Sequence, residues 1–359
     1  MDVYTTVPEY VFAASLEPGS FTYHPLATDV GLVQHSALDV DLDGTLERLE
    51  SFIPFDPDVV YETAEKLKRS GCRAVVCDIS PLGITVAREA GLPSILIENF
   101  TWDWLYFDLL AVETARNPGS QRLSKIRSHI RYLNDVFLSV DVRICTAPAH
   151  DSRESFIKLP PIYRLPRKSP KYIRKIFNVP GDCSIVLISN GGVREDNPFM
   201  EQVKRHRQIF FIMTGSPVNK RTKNCVLLKH DTEFFHPDLV FASDAVIGKL
   251  GYSTVAEVYS ARVPFGYITR SGSREAVVMR DFVDGMMESM PISRDDYFTG
   301  DWMHHLHYLI DKRRQTFREP NGAPAAAMII ADCANNRLGF PETYKPVPDF
   351  NPRIQSKTA

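Results

Sequence analysis

The chain has 359 residues, more than a single hydrophobic core usually serves, so two domains are expected. Its 42 lysines and arginines against 44 aspartates and glutamates leave a net charge of -2, which excludes a general electrostatic attraction to nucleic acid or acidic membranes. Six scattered cysteines without a C-x-x-C pair argue against a zinc site and a disulfide framework.

The sequence predicts neither a membrane-spanning segment nor a signal peptide at its start. No apolar run approaches the roughly 20 residues that a membrane-spanning helix needs. The start, Met1-Asp-Val-Tyr-Thr-Thr, lacks the charged and apolar regions of a signal peptide. We therefore expect a cytoplasmic protein with no transmembrane segment and no nucleic-acid partner.

The first domain, residues 1–150, contains a βαβ pattern. Short apolar runs at 73–78 and 93–98 flank a helical stretch at 84–90, and Gly91 stands where a helix would stop. A longer helix is predicted at 123–139 and another strand at 142–146. Continuous apolar strands of this kind are typical of a parallel sheet covered on both faces.

Residues 151–180 are rich in proline and basic residues and are predicted to form an interdomain linker. Ser169-Pro170 favours a short helix, which carries Lys171, Arg174 and Lys175. This basic cluster has two interpretations, a phosphate site or a solvated surface.

The second domain, residues 181–320, alternates strands and helices. Strands are predicted at 184–189, 209–213, 225–228, 245–247 and 265–269, which indicates a second doubly wound α/β domain. Residues 321–338 are predicted to form a C-terminal helix of small residues. The proline-containing tail, 339–359, is expected to be an extended strap or disordered.

Residues 243–265 form the most distinctive stretch, predicted to be a strand, a glycine turn, a helix and a second strand. Gly248 and Gly251 are expected to form the turn, and Tyr252 to begin the helix. The free N–H groups of such a helix start attract anions. The stretch therefore predicts an anion site.

Several other kinds of chemistry have little support. No Gly-x-Ser-x-Gly elbow and no P-loop is present, and His304, His305 and His307 lack metal-ligand spacing. A serine hydrolase, a P-loop kinase and a His-Glu-x-x-His metalloenzyme are therefore not expected.

Many separated motifs occur in an order that resembles the GT-B glycosyltransferases. The resemblance extends to the enzyme that adds N-acetylglucosamine to lipid I, and still more to the glycosyltransferase-like region before the sugar kinase in plant L-arabinose kinases. It covers roughly residues 2–335, and the matching stretches are 76–81 (VCDISP), 98–103 (ENFTWD), 242–244 (ASD), 248–254 (GKLGYST), 299–302 (TGDW) and 321–322 (NG).

This resemblance implies a GT-B fold, with two doubly wound Rossmann-like domains facing a cleft. It implies transfer of a hexosyl or pentosyl group from a nucleotide-diphospho-sugar, a UDP-sugar, to an unknown acceptor that is a lipid or a small molecule. No cofactor and no metal is expected. A nucleotide-sugar hydrolase or epimerase is one alternative, and a non-catalytic nucleotide-sugar-binding module is another.

The resemblance also assigns a donor site. Glu257 corresponds to a glutamate that accepts hydrogen bonds from both ribose hydroxyls, whereas from the residues alone Thr254 and Glu257 also read as a capping box. The residues expected to bind the donor are Gly191, Gly192, Val193, Gly215, Ser216, Lys249, Gly251, Tyr252, Ser253, Thr254, Glu257, Arg270 and Glu275.

Asp78, Asn99 and Trp102 are candidates for the acceptor side. Each follows or ends a predicted strand of the first domain. Asp78 also has an interpretation as a cap of the following helix or its turn, and aromatic core packing is the alternative for the residues around Trp102.

The resembled family has a first strand and a Gly/His turn before the element that matches 2–8. Met1 stands where the second strand of that family begins. The expectation is an incomplete first domain with exposed apolar edges, and an acceptor hydroxyl without its usual general base.

Overall fold

The computed structural model describes residues 1–36, 39–150, 156–189, 199–229, 231–269, 272–312 and 320–335. The chain divides into two compact units. The first unit contains Met1–Val33, Val40–Pro160 and the segment that begins at Gly322, and the second contains Gln34–Asp39 and Pro161–Asn321.

The strands and helices alternate through most of both units. The strands are β1 Asp2–Thr5, β2 Thr22–Pro25, β3 Gln34–Ser36, β4 Asp39–Val40, β5 Val75–Asp78, β6 Ser94–Glu98, β7 Val142–Thr146, β8 Ile157–Leu159, β9 Ser184–Ser189, β10 Ile209–Ser216, β11 Lys220–Arg221, β12 Cys225–Lys229, β13 Ala245–Lys249, β14 Phe265–Ile268 and β15 Ser289–Ile292. The helices are α1 Glu9–Ala13, α2 Leu42–Phe52, α3 Pro57–Arg69, α4 Pro81–Ala90, α5 Trp102–Leu105, α6 Phe107–Arg116, α7 Gln121–Leu138, α8 Pro170–Ile176, α9 Met200–Val203, α10 His236–Ala242, α11 Tyr252–Ala261, α12 Arg274–Met286, α13 Arg294–Thr299, α14 Leu306–Ile310 and α15 Ala323–Ala334, with a 3-10 helix at Asp301–His305.

The first unit has a parallel sheet in which the described strands run in the order β5-β6-β7-β8. β1 and β2 pair in parallel in a separate sheet. The predicted βαβ pattern is confirmed, because β5, α4 and β6 follow in that order. Helix α4 begins three residues earlier than the pattern indicated, since Ser80 caps it by accepting from the N–H of Gly83, and it ends at Gly91 with φ 68.

The second unit has a sheet whose described strands run in the order β11-β12-β10-β9-β13-β14-β15. All neighbours pair in parallel except β11 and β12. β9 lies in the middle, which explains its continuous apolar sequence: Ile185, Val186, Leu187 and Ile188 are fully buried. The predicted strand bounds 142–146 and 184–189 are both confirmed.

Candidate functional site

The strand order of the second unit creates a topological switch point. Counted from β9, the parallel strands β9, β10, β12, β13, β14 and β15 lie in the spatial order 3-2-1-4-5-6. Chain connections leave in opposite directions from the boundary between β9 and β13, and sheets of this order bind ligands at the carboxyl ends of the strands there. Ser189 ends β9 and Lys249 ends β13, so both lie at this boundary.

Gly248 lies inside β13 and not in the turn, so the sequence-based placement of this glycine is wrong. It pairs with Ser189 of β9, and a Cβ atom at this position would lie 2.6 Å from the Ser189 carbonyl oxygen. A contact with backbone cannot be relieved by a side-chain rotation. The glycine is needed because two backbones approach closely at the switch point.

Gly248→Ala is expected to destabilise the second unit by about 1–3 kcal/mol, because overpacking forces β9 and β13 apart. Urea unfolding measures the effect, followed through the fluorescence of Trp302, a buried residue of this unit, in a background with Trp102→Phe and Trp104→Phe. The matched control is Gly285→Ala, since a Cβ atom there meets open space in α12. Equal unfolding midpoints for the two variants would contradict the close approach.

Helix α11 begins directly after this strand, at Tyr252. Gly251 is its N-cap with φ -132 and ψ 140, and the Gly251 carbonyl accepts from the N–H of Val255. No side chain in the described ranges caps this helix. The interpretation of Thr254 as the N-cap of a capping box is therefore wrong, since Thr254 lies in the first turn. The first-turn N–H groups form the kind of helix start that receives anions.

Glu257 is buried, with 2% of its surface exposed, and both carboxylate oxygens are hydrogen-bonded. Oε1 accepts from Arg164, at 2.8 Å from Nε and 2.6 Å from Nη2. Oε2 lies 2.6 Å from Nδ1 of His236. Burial acts to raise the pKa of Glu257, but the hydrogen bond and charge of His236 and the charge of Arg164 outweigh it and hold the pKa below its ordinary value.

The interaction continues from His236 to the end of β9, where Nε2 lies 2.9 Å from Oγ of Ser189. A carboxylate only accepts, so Nδ1 carries a proton; in the neutral ring Nε2 then accepts from the Ser189 hydroxyl. The chain Arg164, Glu257, His236, Ser189 thus ties α11 to the switch point.

Arg164 reaches this site because its segment is held on α10. The backbone N–H groups of Arg167 and Lys168 donate to Oδ1 of the buried Asp238. The guanidinium groups of Arg164 and Arg167 lie over the ring of Phe235, at 5.1 and 4.2 Å. A stretch that the sequence assigned to a linker therefore contributes a side chain to the site.

Sequence reasoning missed Ser189, His236 and Arg164. They come from three separate segments and share no spacing motif. The one available signal was His236-Pro237, since a polar residue before proline is typical of a helix start. Only the sheet order brings the three side chains to Glu257.

Some of the other predicted donor residues lie within the described ranges, and the rest lie outside them. Gly215 has φ 81 at an irregularity in β10, and Ser216 is buried beside it. Tyr252 lies near Glu275: burial and the Glu275 charge raise the tyrosine pKa. Gly191, Gly192, Val193 and Arg270 lie outside the described residues.

In the first unit, Asn99 has a structural task. Its side-chain amide donates to the Thr146 carbonyl at 2.7 Å and to the Pro148 carbonyl at 3.1 Å, which holds the loop after β7. Trp102 stacks on Tyr106, with ring centroids 6.0 Å apart. Asp78 ends β5 at an exposed position, and Ser80 rather than Asp78 caps α4.

Asp29 lies near Trp102 and Asp78. Burial raises the pKa of Asp29 from 3.8 to about 6; the Trp102 indole lowers it and the negative charge of Asp78 raises it. Between about pH 4 and pH 6, the Asp29 carboxyl therefore binds more protons in the folded state than in the unfolded chain. Asp29 thus lowers the free energy of unfolding as the pH rises through this range.

Asp29→Asn is expected to stabilise the first unit at pH 7.5 by about 1–3 kcal/mol, and to match the wild type near pH 4, where Asp29 is neutral. Urea unfolding at both pH values measures this. Asp135→Asn, at an exposed position of α7, is the control and should track the wild type throughout. A stabilisation of the same size at both pH values would contradict the raised pKa.

The described ranges contain neither a metal-ligand cluster nor a membrane-spanning helix. No group of three or more His, Cys, Asp or Glu side chains there is arranged to hold a metal ion. Among the described helices, none combines the length and the hydropathy that crossing a membrane needs.

No protein-family model matches this chain. A curated relative, L-arabinokinase from Arabidopsis thaliana, is 26% identical over 340 residues, covering 93% of this chain and 32% of that protein. The chain thus spans about a third of the length of this relative.

Solved glycosyltransferases share the fold. The calicheamicin glycosyltransferase CalG4 is 15% identical over 94% of this chain and 91% of its own, with a TM-score of 0.61. A UDP-glucosyltransferase from Polygonum tinctorium is 13% identical over 92% and 85%, with a TM-score of 0.52. The fold predicted from the motifs is confirmed as GT-B, and the relation to arabinose kinases is confirmed by the curated relative.

Proposed function

We propose that this chain, which has the GT-B fold, binds a UDP-sugar in its second unit and transfers the sugar to an acceptor. The observation that carries the proposal is the start of α11 at the switch point of the sheet, with Glu257 buried in the same helix. Helix starts at such positions receive phosphate groups.

The proposed donor contacts follow from chemistry. The first-turn N–H groups of α11 and the Lys249 ammonium take the diphosphate. The Glu257 carboxylate takes the ribose, since it offers acceptors to two hydroxyls. UDP is the proposed carrier because a relative in fold is a UDP-glucosyltransferase.

The reaction would break the bond between the sugar C1 and the phosphate oxygen and form a bond from C1 to an acceptor oxygen. The acceptor hydroxyl gives its proton to solvent, and UDP leaves with the electron pair of the broken bond. Negative charge develops on the leaving diphosphate, where the helix start and Lys249 stabilise it, so this step requires no metal. The acceptor is a small molecule or a lipid that carries a hydroxyl group.

Binding of ribose at Glu257 requires an exchange of partners. A carboxylate has about four acceptor positions, and Arg164 and His236 already use three of them. The Arg164 side chain is 40% exposed, whereas that of His236 is 24% exposed. We therefore assign Arg164 as the group that ribose displaces and His236 as the group that stays.

Arg164→Met is accordingly expected to raise the affinity for UDP about fivefold, since a partly exposed ion pair worth roughly 1 kcal/mol no longer has to break. Isothermal titration with UDP measures the change. Arg167→Met is the matched control, because Arg167 lies over the same Phe235 ring and is expected to leave the affinity unchanged. A loss of affinity in Arg164→Met would make Arg164 a donor contact and overturn the exchange.

The proposed function is tested by nucleotide release. The full chain is incubated with UDP-sugars and GDP-sugars, with and without a panel of hydroxyl acceptors, in the presence of EDTA. We expect acceptor-dependent release of UDP. Release without acceptor would identify a hydrolase, and saturable binding without release would identify a binding module; either result would overturn the transferase.

A further inference from the structure

A cavity of about 270 Å³ opens in the first unit, and none of the residues assigned to the donor lines it. Parts of α5, α6, α7 and β7 form its walls. Its lining includes charged, amide, imidazole and aromatic groups: Asp103, Trp104, Phe107, Asn134, Arg143 and His150.

Arg143 is a fixed donor in this lining. Its Nε and Nη2 pair with the two oxygens of Glu98 at 2.7 and 2.9 Å, and the side chain is only 8% exposed. The guanidinium also lies 4.4 Å from the centre of the Phe156 ring. These contacts hold the group in one orientation, and the pairing uses two of its five N–H donors.

Asp103 is an acceptor in the same lining. Its Oδ1 is buried and has no hydrogen-bond partner among the described residues. Because this acceptor lacks a partner and is closed to solvent, a ligand O–H gains a hydrogen bond to it once the start of α5 opens toward the cavity. Burial raises the pKa of Asp103, whereas hydrogen bonds from Thr101 and from the Trp104 backbone, and then the charge of Arg143, lower it.

Apolar surface completes the cavity. The Trp104 ring packs against His150, with centroids 4.6 Å apart. Phe107 and Leu138, which also line it, are 44% and 58% exposed. Aromatic and apolar side chains in this arrangement can pack against the C–H groups on one face of a sugar ring.

We propose that this cavity binds a neutral polyhydroxylated ring, a free pentose or hexose. Hydroxyl groups both donate and accept, which matches one acceptor-only carboxylate and one donor-only guanidinium. Glu98 already balances the charge of Arg143, so an anion gains little at that guanidinium and is repelled by the Asp103 carboxylate; a cation is the charged alternative that the titration tests. A cavity of about 150 Å³ holds a benzene ring, so about 270 Å³ is large enough for a single sugar ring.

The test is a titration of the full chain with D-glucose, D-xylose and myo-inositol, followed by ligand-observed NMR. Ethylammonium and inorganic phosphate represent the charged alternatives. We expect saturable binding of the neutral rings, and an approximately tenfold weaker Kd in Asp103→Asn, because a neutral amide oxygen replaces a charged acceptor. Asp135→Asn, exposed on α7 beside the lining, is the matched control and is expected to bind as the wild type does.

Three results would overturn this inference: no saturable binding of a neutral ring, equal binding by the wild type and Asp103→Asn, or preferred binding of ethylammonium or phosphate. If Asp103→Asn does not fold, sugar binding is compared between the wild type and Asn134→Ala, which removes another polar group from the lining. The inference is separate from the proposed transfer, since sugar binding is expected to survive Glu257→Gln. If UDP does not bind, sugar binding in the cavity is still expected. If the sugar does not bind, UDP binding is still expected.

Discussion

Replacing Glu257 by glutamine is expected to weaken UDP binding by about 10- to 100-fold. A hydrogen bond to a charged acceptor contributes about 1.5–3 kcal/mol, and the amide offers only one acceptor oxygen to the two ribose hydroxyls. The measurement is isothermal titration of UDP into the wild type and the variant, with circular dichroism to confirm the fold.

The buried position of Glu257 requires a control for stability, because its loss leaves His236 and Arg164 without their partner. Glu201→Gln removes a carboxylate from an exposed ion pair of the same unit and is expected to bind UDP normally. UDP affinity that survives in a folded Glu257→Gln protein would remove the ribose assignment and, with it, the main support for the donor site.

Glu98→Gln is expected to destabilise the first unit by about 3–5 kcal/mol. Glu98 is 1% exposed and pairs with Arg143 through two short hydrogen bonds, and its Oε1 also accepts from the Cys145 thiol at 3.1 Å. Removing one partner leaves a buried guanidinium without its counter-charge, which is the costly way to break such a pair.

Unfolding in urea is measured through Trp102 and Trp104, in a Trp302→Phe background so that fluorescence reports the first unit. The exposed pair Glu50–Lys125 is the control, and Glu50→Gln is expected to leave the midpoint unchanged. Replacing both charges, as Glu98→Leu with Arg143→Met, is expected to restore most of the lost stability. A single variant as stable as the wild type would show that the pair is dispensable.

Glu257→Gln and Glu98→Gln test the two proposals separately, because the two residues lie in different units. Glu257→Gln acts on the donor site, whereas Glu98→Gln loosens Arg143, which lines the sugar cavity. We expect the first to leave sugar binding intact and the second to impair it while UDP still binds.

The amino-acid sequence by itself determined the local structure. The local patterns predicted the observed ends of β7 and β9, and Gly91 ended α4 because glycine accepts a left-handed conformation without a Cβ clash. These signals depend on residues a few positions apart, so they can be read along the chain. The ordered motifs also predicted the GT-B fold.

The tertiary structure determined which backbones and side chains those elements bring into contact. Gly248 is a strand residue because β9 lies against β13, and Glu257 is held by Arg164 and His236 because the sheet order brings distant segments to one helix. The sugar cavity likewise depends on Asp103 and Arg143, 40 positions apart. Hydrophobic periodicity records which face of an element is buried, but it carries no information about which distant side chain that face will meet.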